Sequence, residues 1–414
     1  MDTHAGPPGL RLLLGAFGDP GHAFPMLALG ARLADRGHDV TLQTWRHWRG
    51  FVEAAGMTFA PAPEYDVFPT RARPLKPYAA VVRGAREARP LVTELRPDAI
   101  VADILTLAPA LAGELEGVPV ATLVPHVFPP GAPGFPPYSL GARLPRTAAG
   151  RRWWRTLEPA LGGGLRQGRE QLNGTRDRLG LRPLRWEHGG ISRQLCLVAT
   201  LPQLEYPRAW PEWTRVVGPL MWEPPAEEVE PPPGDDPLVL VAPSTSQDRR
   251  QRLLRATLEG LADLPVRVLA ATNRRGQSLP DVAVPPNARV VDWLSYARTM
   301  PSCDVVVCHG GHGTVVRALS SGCAVVACPA AGDMNENAAR VDWTGAGVRL
   351  PGRFCSPRGV RLAVQRALAD PTIRARAREI AAWTATHDAP TTAATEIEAF
   401  AARHEHTFRP SPAR

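Results

Sequence analysis

One local grammar occurs twice along this chain, and it confines the fold to parallel sheets covered by helices. In the first copy an apolar run at 10–15 reads as a buried strand and leads into the turn Gly18-Asp19-Pro20-Gly21-His22. Residues 23–36 then carry Met26, Leu27, Leu29 and Leu33 at helical spacing, and Gly37 stops that helix. Strands at 40–43, 98–102 and 118–124 and a helix at 108–116 continue the alternation. The grammar restarts with a strand at 238–242, followed by Ser244-Thr245-Ser246, a helix at 248–261 and strands at 266–271 and near Val290. A strand at 305–307, a helix at 314–321 and a strand at 324–327 complete it. Strand and helix in strict alternation imply parallel strands with helices on both faces.

The predicted fold class is therefore α/β, with two doubly wound, Rossmann-like domains facing across a cleft. A proline-dense acidic stretch, Trp222-Glu223-Pro224-Pro225 through Pro231-Pro232-Pro233-Gly234, separates the copies and reads as a semi-rigid linker. The expected organisation is a first domain over 1–217, a linker over 218–236 and a second domain over 237–385. A helix and tail over 386–414 are expected to pack back on the first domain. The 414 residues are 44% hydrophobic, enough apolar material for two cores. Doubly wound sheets bind ligands at the carboxyl ends of their strands, which locates the site in the cleft.

Several classes are disfavoured. No apolar run approaches the roughly 18 residues of a membrane helix, since 100–118 is broken by Asp103, Glu114 and Glu116. The short apolar stretch at 10–15 has no basic segment before it, so no signal peptide is expected and the protein should be cytoplasmic. Cysteines at 196, 303, 308, 323, 328 and 355 form no CxxC pair and flank predicted buried strands, as core thiols do. A zinc site from Cys308, His309 and His312 matches no usual ligand spacing, and no metal is expected. The net charge of +8 is carried by arginines interleaved with acids, with Lys76 the sole lysine, and forms no nucleic-acid stripe.

The strongest chemical signal is Cys308-His309-Gly310-Gly311-His312-Gly313-Thr314, directly after a strand and opening a helix. Glycines let backbone approach a ligand, and the free amides of a helix start, with its dipole, favour an anion. Thr314 can add a hydroxyl or cap its own helix, and His309 and His312 can donate to phosphate oxygens. Pro329-Ala330-Ala331-Gly332-Asp333-Met334-Asn335-Glu336-Asn337 repeats the strand-to-helix setting, and Val290-Val291-Asp292-Trp293-Leu294 lies upstream. Proline and aromatic clusters over 128–173 offer either a lipophilic recognition wall or plain surface packing; the candidates are Phe128, Phe135, Tyr138 and Trp153.

In these motifs the chain resembles the GT-B glycosyltransferases of family 1, which include natural-product and plant small-molecule glycosyltransferases. The resemblance rests on Gly18 to His22, Arg36-Gly37-His38-Asp39-Val40-Thr41, Val217-Gly218-Pro219, Trp293-Leu294 and His309 to Thr314, in that order. It implies that Trp293, with Leu294, stacks on the base of a UDP- or dTDP-sugar. It implies that His309, Gly311, His312, Gly313 and Thr314 hold the diphosphate, with Ser244 and Thr245 reaching it from the domain's first strand. Asp333 and Met334 would meet the sugar. Two positions depart from the family: Arg317 and Met334 stand where many relatives have a ribose-binding glutamate and a sugar-binding glutamine. A guanidinium cannot accept a ribose hydroxyl, which leans the donor towards dTDP.

The reaction implied is an inverting transfer to a hydroxyl of a polyketide, flavonoid or similar apolar molecule, with no cofactor beyond the nucleotide-sugar. His22, at the carboxyl end of the first strand, suits a general base near neutral pH. Asp103 ends a neighbouring strand and would stabilise the imidazolium as it forms, a dyad the resemblance also implies. His38, His47, His126 and His188 have no constellation and read as structural or exposed. The rival readings are a nucleotide-sugar epimerase of the same fold and a non-catalytic binding relative. A nucleotide-dependent oxidoreductase is weaker, because the first turn lacks Gly-x-Gly-x-x-Gly. Acceptor, sugar, carbon or nitrogen attack, and oligomeric state, a homodimer included, stay open.

Overall fold

The computed structural model describes residues 9–62, 77–226, 228–244, 250–273, 283–330 and 332–408. Thirteen strands among them form two sheets, and every pairing is parallel. The first sheet contains β1 (Arg11–Gly15), β2 (Asp39–Thr44), β3 (Thr58–Pro61), β4 (Ala99–Asp103), β5 (Val120–Val124), β6 (Leu195–Val198) and β7 (Thr214–Val216). The second contains β8 (Leu238–Ala242), β9 (Arg267–Ala271), β10 (Ala288–Val291), β11 (Val305–Cys308), β12 (Ala324–Ala327) and β13 (Gly347–Arg349). Their orders are β3-β2-β1-β4-β5-β6-β7 and β10-β9-β8-β11-β12-β13.

Both orders reverse after the first strand: the chain builds outward on one side of β1 or β8, then crosses to the other. The crevice at such a reversal is where open α/β sheets bind ligands. It falls between β1 and β4 in one half and between β8 and β11 in the other. The central strands are continuous apolar runs because helices cover both faces; Leu13, Leu14, Val241 and Val306 are fully buried.

The last helix, Ala389–Phe408, lays Ala393, Ile397 and Phe400 into the core of the first sheet. Arg36 and His38 both bond Glu398, at 2.6 and 2.7 Å, beside the helix Pro20–Asp35. A further core joins the halves, since Val127, Leu201 and Leu204 pack with the second sheet's apolar residues. Within that contact Arg340 is 2% exposed and reaches Glu205 and Glu336, each at 2.9 Å. All six cysteines are buried and none forms a disulfide. Among the described residues no helix is long and apolar enough to cross a membrane.

Candidate active site

The first half of the site grows from the turn after β1. Gly15 and Gly18 are required by close approach: a Cβ would lie 2.5 Å from the Pro109 ring and 2.0 Å from the Trp45 ring. Asp19 then caps the helix Pro20–Asp35, its carboxylate accepting from the Gly21 amide at 2.9 Å, with Pro20 at the first helical position. The cap lifts His22 into the helix's first turn. Its Nδ1 lies 2.7 Å from Asp103 Oδ2 at the end of β4. Asp103 has no accessible side-chain surface, and its other oxygen accepts from the Leu105 amide at 2.8 Å.

This geometry fixes the imidazole. A buried carboxylate only accepts, so Nδ1 keeps its proton and Nε2 carries the lone pair. Burial lowers the His22 pKa, but the charge and hydrogen bond of Asp103, helped by Asp19 and Asp333, raise it above the ordinary 6.5 overall. Asp333 belongs to the other half, so its influence on His22 marks the two halves as facing one another there.

The second half grows from the loop after β11. The helix His312–Ser320 starts with Gly311 as its cap, a residue with no side chain to bond the free amides. Thr314 therefore sits inside the first turn and does not cap the helix. Gly310 adopts φ +81°, and a Cβ on Gly311 would meet the His309 ring at 2.3 Å. His309 is held by its own Nδ1, 3.1 Å from the carbonyl of Ala242 where β8 ends. Asn337 donates to the Gly310 carbonyl at 2.9 Å and so pins this turn to the helix Met334–Thr344. Asp333 and Met334 open that helix, half-buried, and the Asp333 carboxylate does not cap it.

The remaining expected donor residues divide. Trp293 follows β10 and is half-buried, whereas Leu294 is 3% exposed and belongs to the core, leaving only its backbone for a ligand. Ser244 is buried at the end of β8; Thr245 lies outside the described residues. His312, expected to donate to phosphate, is 8% exposed beside Asn337 and the Ala199 backbone and is held neutral by burial and by His126, with a pKa of about 3. Arg317 is turned to the linker: it donates to the Trp222 carbonyl at 3.3 Å and lies 3.8 Å from Glu223, which accepts from the Ala297 amide at 3.1 Å.

The expected acceptor wall also divides. Phe128 is 1% exposed and packs against Trp210 and Trp213 as part of the core. Phe135 is half-buried, edge-on to Tyr206. Tyr138 places its hydroxyl 3.3 Å from His126 Nδ1, and burial pushes its pKa well above the phenol range. Trp153 is 63% exposed on the helix Ala148–Leu161, which buries none of its side chains.

His126, read as structural or exposed, is half-buried, and its ring stands 6.3 Å from that of His22. No local motif marks it, but it follows β5 by two residues, next to the strand that ends in Asp103. The topology rule that joins His22 to Asp103 would have found it.

Residues 255–400 match the family described as erythromycin biosynthesis protein CIII-like, C-terminal domain. The chain is 29% identical to a 4'-demethylrebeccamycin synthase of Lentzea aerocolonigenes, over 94% of this chain and 99% of that one. It is 30% identical to a PGL/p-HBAD biosynthesis glycosyltransferase of Mycobacterium tuberculosis, over 71% of this chain and 68% of that one. The crystal structure of the glycosyltransferase VinC in complex with dTDP superposes with a TM-score of 0.68 at 19% identity, covering 95% of this chain and 100% of that one.

Proposed function

The chain belongs to the family 1 GT-B glycosyltransferases of the natural-product kind, and from that premise we propose that it is an inverting enzyme with His22 as general base. The observation that carries the proposal is the 2.7 Å pairing of His22 with buried Asp103, on the face that Asp333 approaches from the other half. The acceptor hydroxyl gives its proton to His22 Nε2 as its oxygen attacks the anomeric carbon. Asp103 stabilises the imidazolium, and the nucleoside diphosphate leaves from the opposite face of the sugar. Charge on the leaving diphosphate meets the amides at Gly311 to Gly313 and the dipole of the helix His312–Ser320, which supply electrostatic stabilisation without a metal ion.

The donor in this proposal is a nucleoside diphosphate sugar stacked on Trp293, a contact worth about 1–3 kcal/mol. Two observations lean it towards dTDP. Arg317 is tied to Trp222 and Glu223 and has no acceptor for a ribose 2′-hydroxyl, and the structurally similar VinC was solved with dTDP. The acceptor is an apolar hydroxylated small molecule, read by Phe135, Tyr138 and the exposed Trp153.

Calorimetric titration with UDP and dTDP in parallel, without added metal and with chelator present, tests the donor side. Micromolar binding with dTDP ahead is expected. No binding of either nucleotide would overturn the site.

A further inference from the structure

His22 and Asp103 account for the base, but a second imidazole on the same sheet edge has no part in that chemistry. His126 Nδ1 lies 2.8 Å from the carbonyl oxygen of Val127. A carbonyl can only accept, so Nδ1 carries the proton and, in the neutral ring, Nε2 carries the lone pair. His22 is built the same way, with Nδ1 tied to Asp103. Two imidazoles with matching tautomers thus stand 6.3 Å apart at 79°, edge to face. Neither Nε2 has a hydrogen-bond partner among the described residues.

Their surroundings separate their roles. His22 is biased towards its charged form and His126 away from it: burial dominates at His126, the Val127 carbonyl opposes, and the nearby His22 charge adds to the lowering. Asp333 and Asp103 favour charge on both rings, but the lowering prevails at His126. When His22 accepts a proton, a second imidazolium at this distance is further disfavoured. His126 is therefore unsuited to be a second base and suited to be a fixed, neutral hydrogen-bond acceptor.

We propose that His126 sets acceptor specificity by taking a hydrogen bond, at Nε2, from a second hydroxyl adjacent to the one that His22 deprotonates. Favoured acceptors then carry paired donors on neighbouring carbons, as a catechol or vicinal diol does. Each oxygen sits about 2.8 Å from its imidazole nitrogen, a span that two adjacent hydroxyls can bridge between rings 6.3 Å apart. A bound acceptor with one hydroxyl covers the His126 Nε2 without pairing it, which costs roughly 10- to 100-fold in selectivity. The inference rests on the glycosyl-transfer reading.

The test compares wild type, His126→Phe and His126→Gln on 3′,4′-dihydroxyflavone and 4′-hydroxyflavone, with dTDP-glucose and UDP-glucose as donors. The ratio of kcat/KM values should favour the dihydroxy compound in wild type, collapse towards one in His126→Phe and return in part in His126→Gln. A wild-type ratio near one, an unchanged ratio in His126→Phe, or equal losses on both flavones with a raised donor KM would overturn it. If wild type turns over neither flavone, the same ratio is read from their binding to nucleotide-loaded protein by tryptophan quenching. Nitrogen-15 NMR of histidine-labelled wild type is independent of turnover. His126 should keep its neutral, Nδ1-protonated form through the range where His22 titrates, and a His126 that charges there contradicts the proposal. Failure of the nucleotide titration would instead remove the glycosyl-transfer reading and leave this NMR result standing.

Discussion

The behaviour of His22 depends on which of two opposed influences prevails. Burial and the helix N-terminus both disfavour its imidazolium, while Asp103 favours it. The carboxylate wins, so a base that works in its neutral form should show an acid limb in its pH–rate profile above 6.5. Asp103→Asn removes the charge that raises the pKa and leaves burial in control. The limb should then move to lower pH, and the plateau rate should fall roughly 100-fold or more. An unmoved limb would show that the titrating group is not His22. This pair was legible in the sequence because both residues sit at carboxyl ends of strands that a doubly wound sheet makes neighbours. His126 obeyed the same rule but carried no motif, and the fate of Arg317 depended on Glu223, a linker residue whose path periodicity does not encode.

Among the elements, the helix His312–Ser320 carries the most specific expectation. A Cβ on Gly313 would meet nothing within 4 Å, and its φ is not positive. Alanine there therefore fits the folded protein and should stabilise it by about 0.4–1 kcal/mol through the unfolded chain. Any loss of nucleotide binding in Gly313→Ala must come from a ligand occupying that space. The expected result is an equal or higher Tm with dTDP affinity lowered about tenfold; unchanged affinity would place the diphosphate elsewhere. The central strands were legible from their continuous apolar runs. The helix Pro20–Asp35 begins three residues before its apolar face does, because Asp19 and Pro20 start it. The helices Ala148–Leu161 and Gly163–Arg178 were not legible, since the first buries no side chain and the second only Leu172, Thr175 and Arg176. The edge strands β7 and β13, three residues each, are too short to show a period.

At the scale of the whole molecule, the two sheets repeat one topology and their reversal points face each other across the cleft. Arg340 ties that arrangement together from the helix that Asp333 opens, donating to Glu336 on its own helix and to Glu205 and the Leu204 carbonyl of the first half. Arg340→Met would leave two buried carboxylates without their cation and should cost roughly 3–5 kcal/mol in stability. Burial already raises the Glu336 pKa against the pull of Arg340, and losing Arg340 raises it further. A carboxyl with a raised folded pKa binds more protons folded than unfolded, so the deficit should shrink as pH falls. Thermal melts of both proteins between pH 8 and pH 5 check this; a deficit that grows on acidification would contradict it.

The central claim, that His22 removes the proton while the opposite half holds the nucleotide, is tested most directly on one variant. His22→Ala should bind dTDP as wild type does by calorimetry, yet transfer sugar roughly 10²- to 10⁴-fold more slowly in a single turnover. Transfer at the wild-type rate with binding intact would remove His22 from the chemistry.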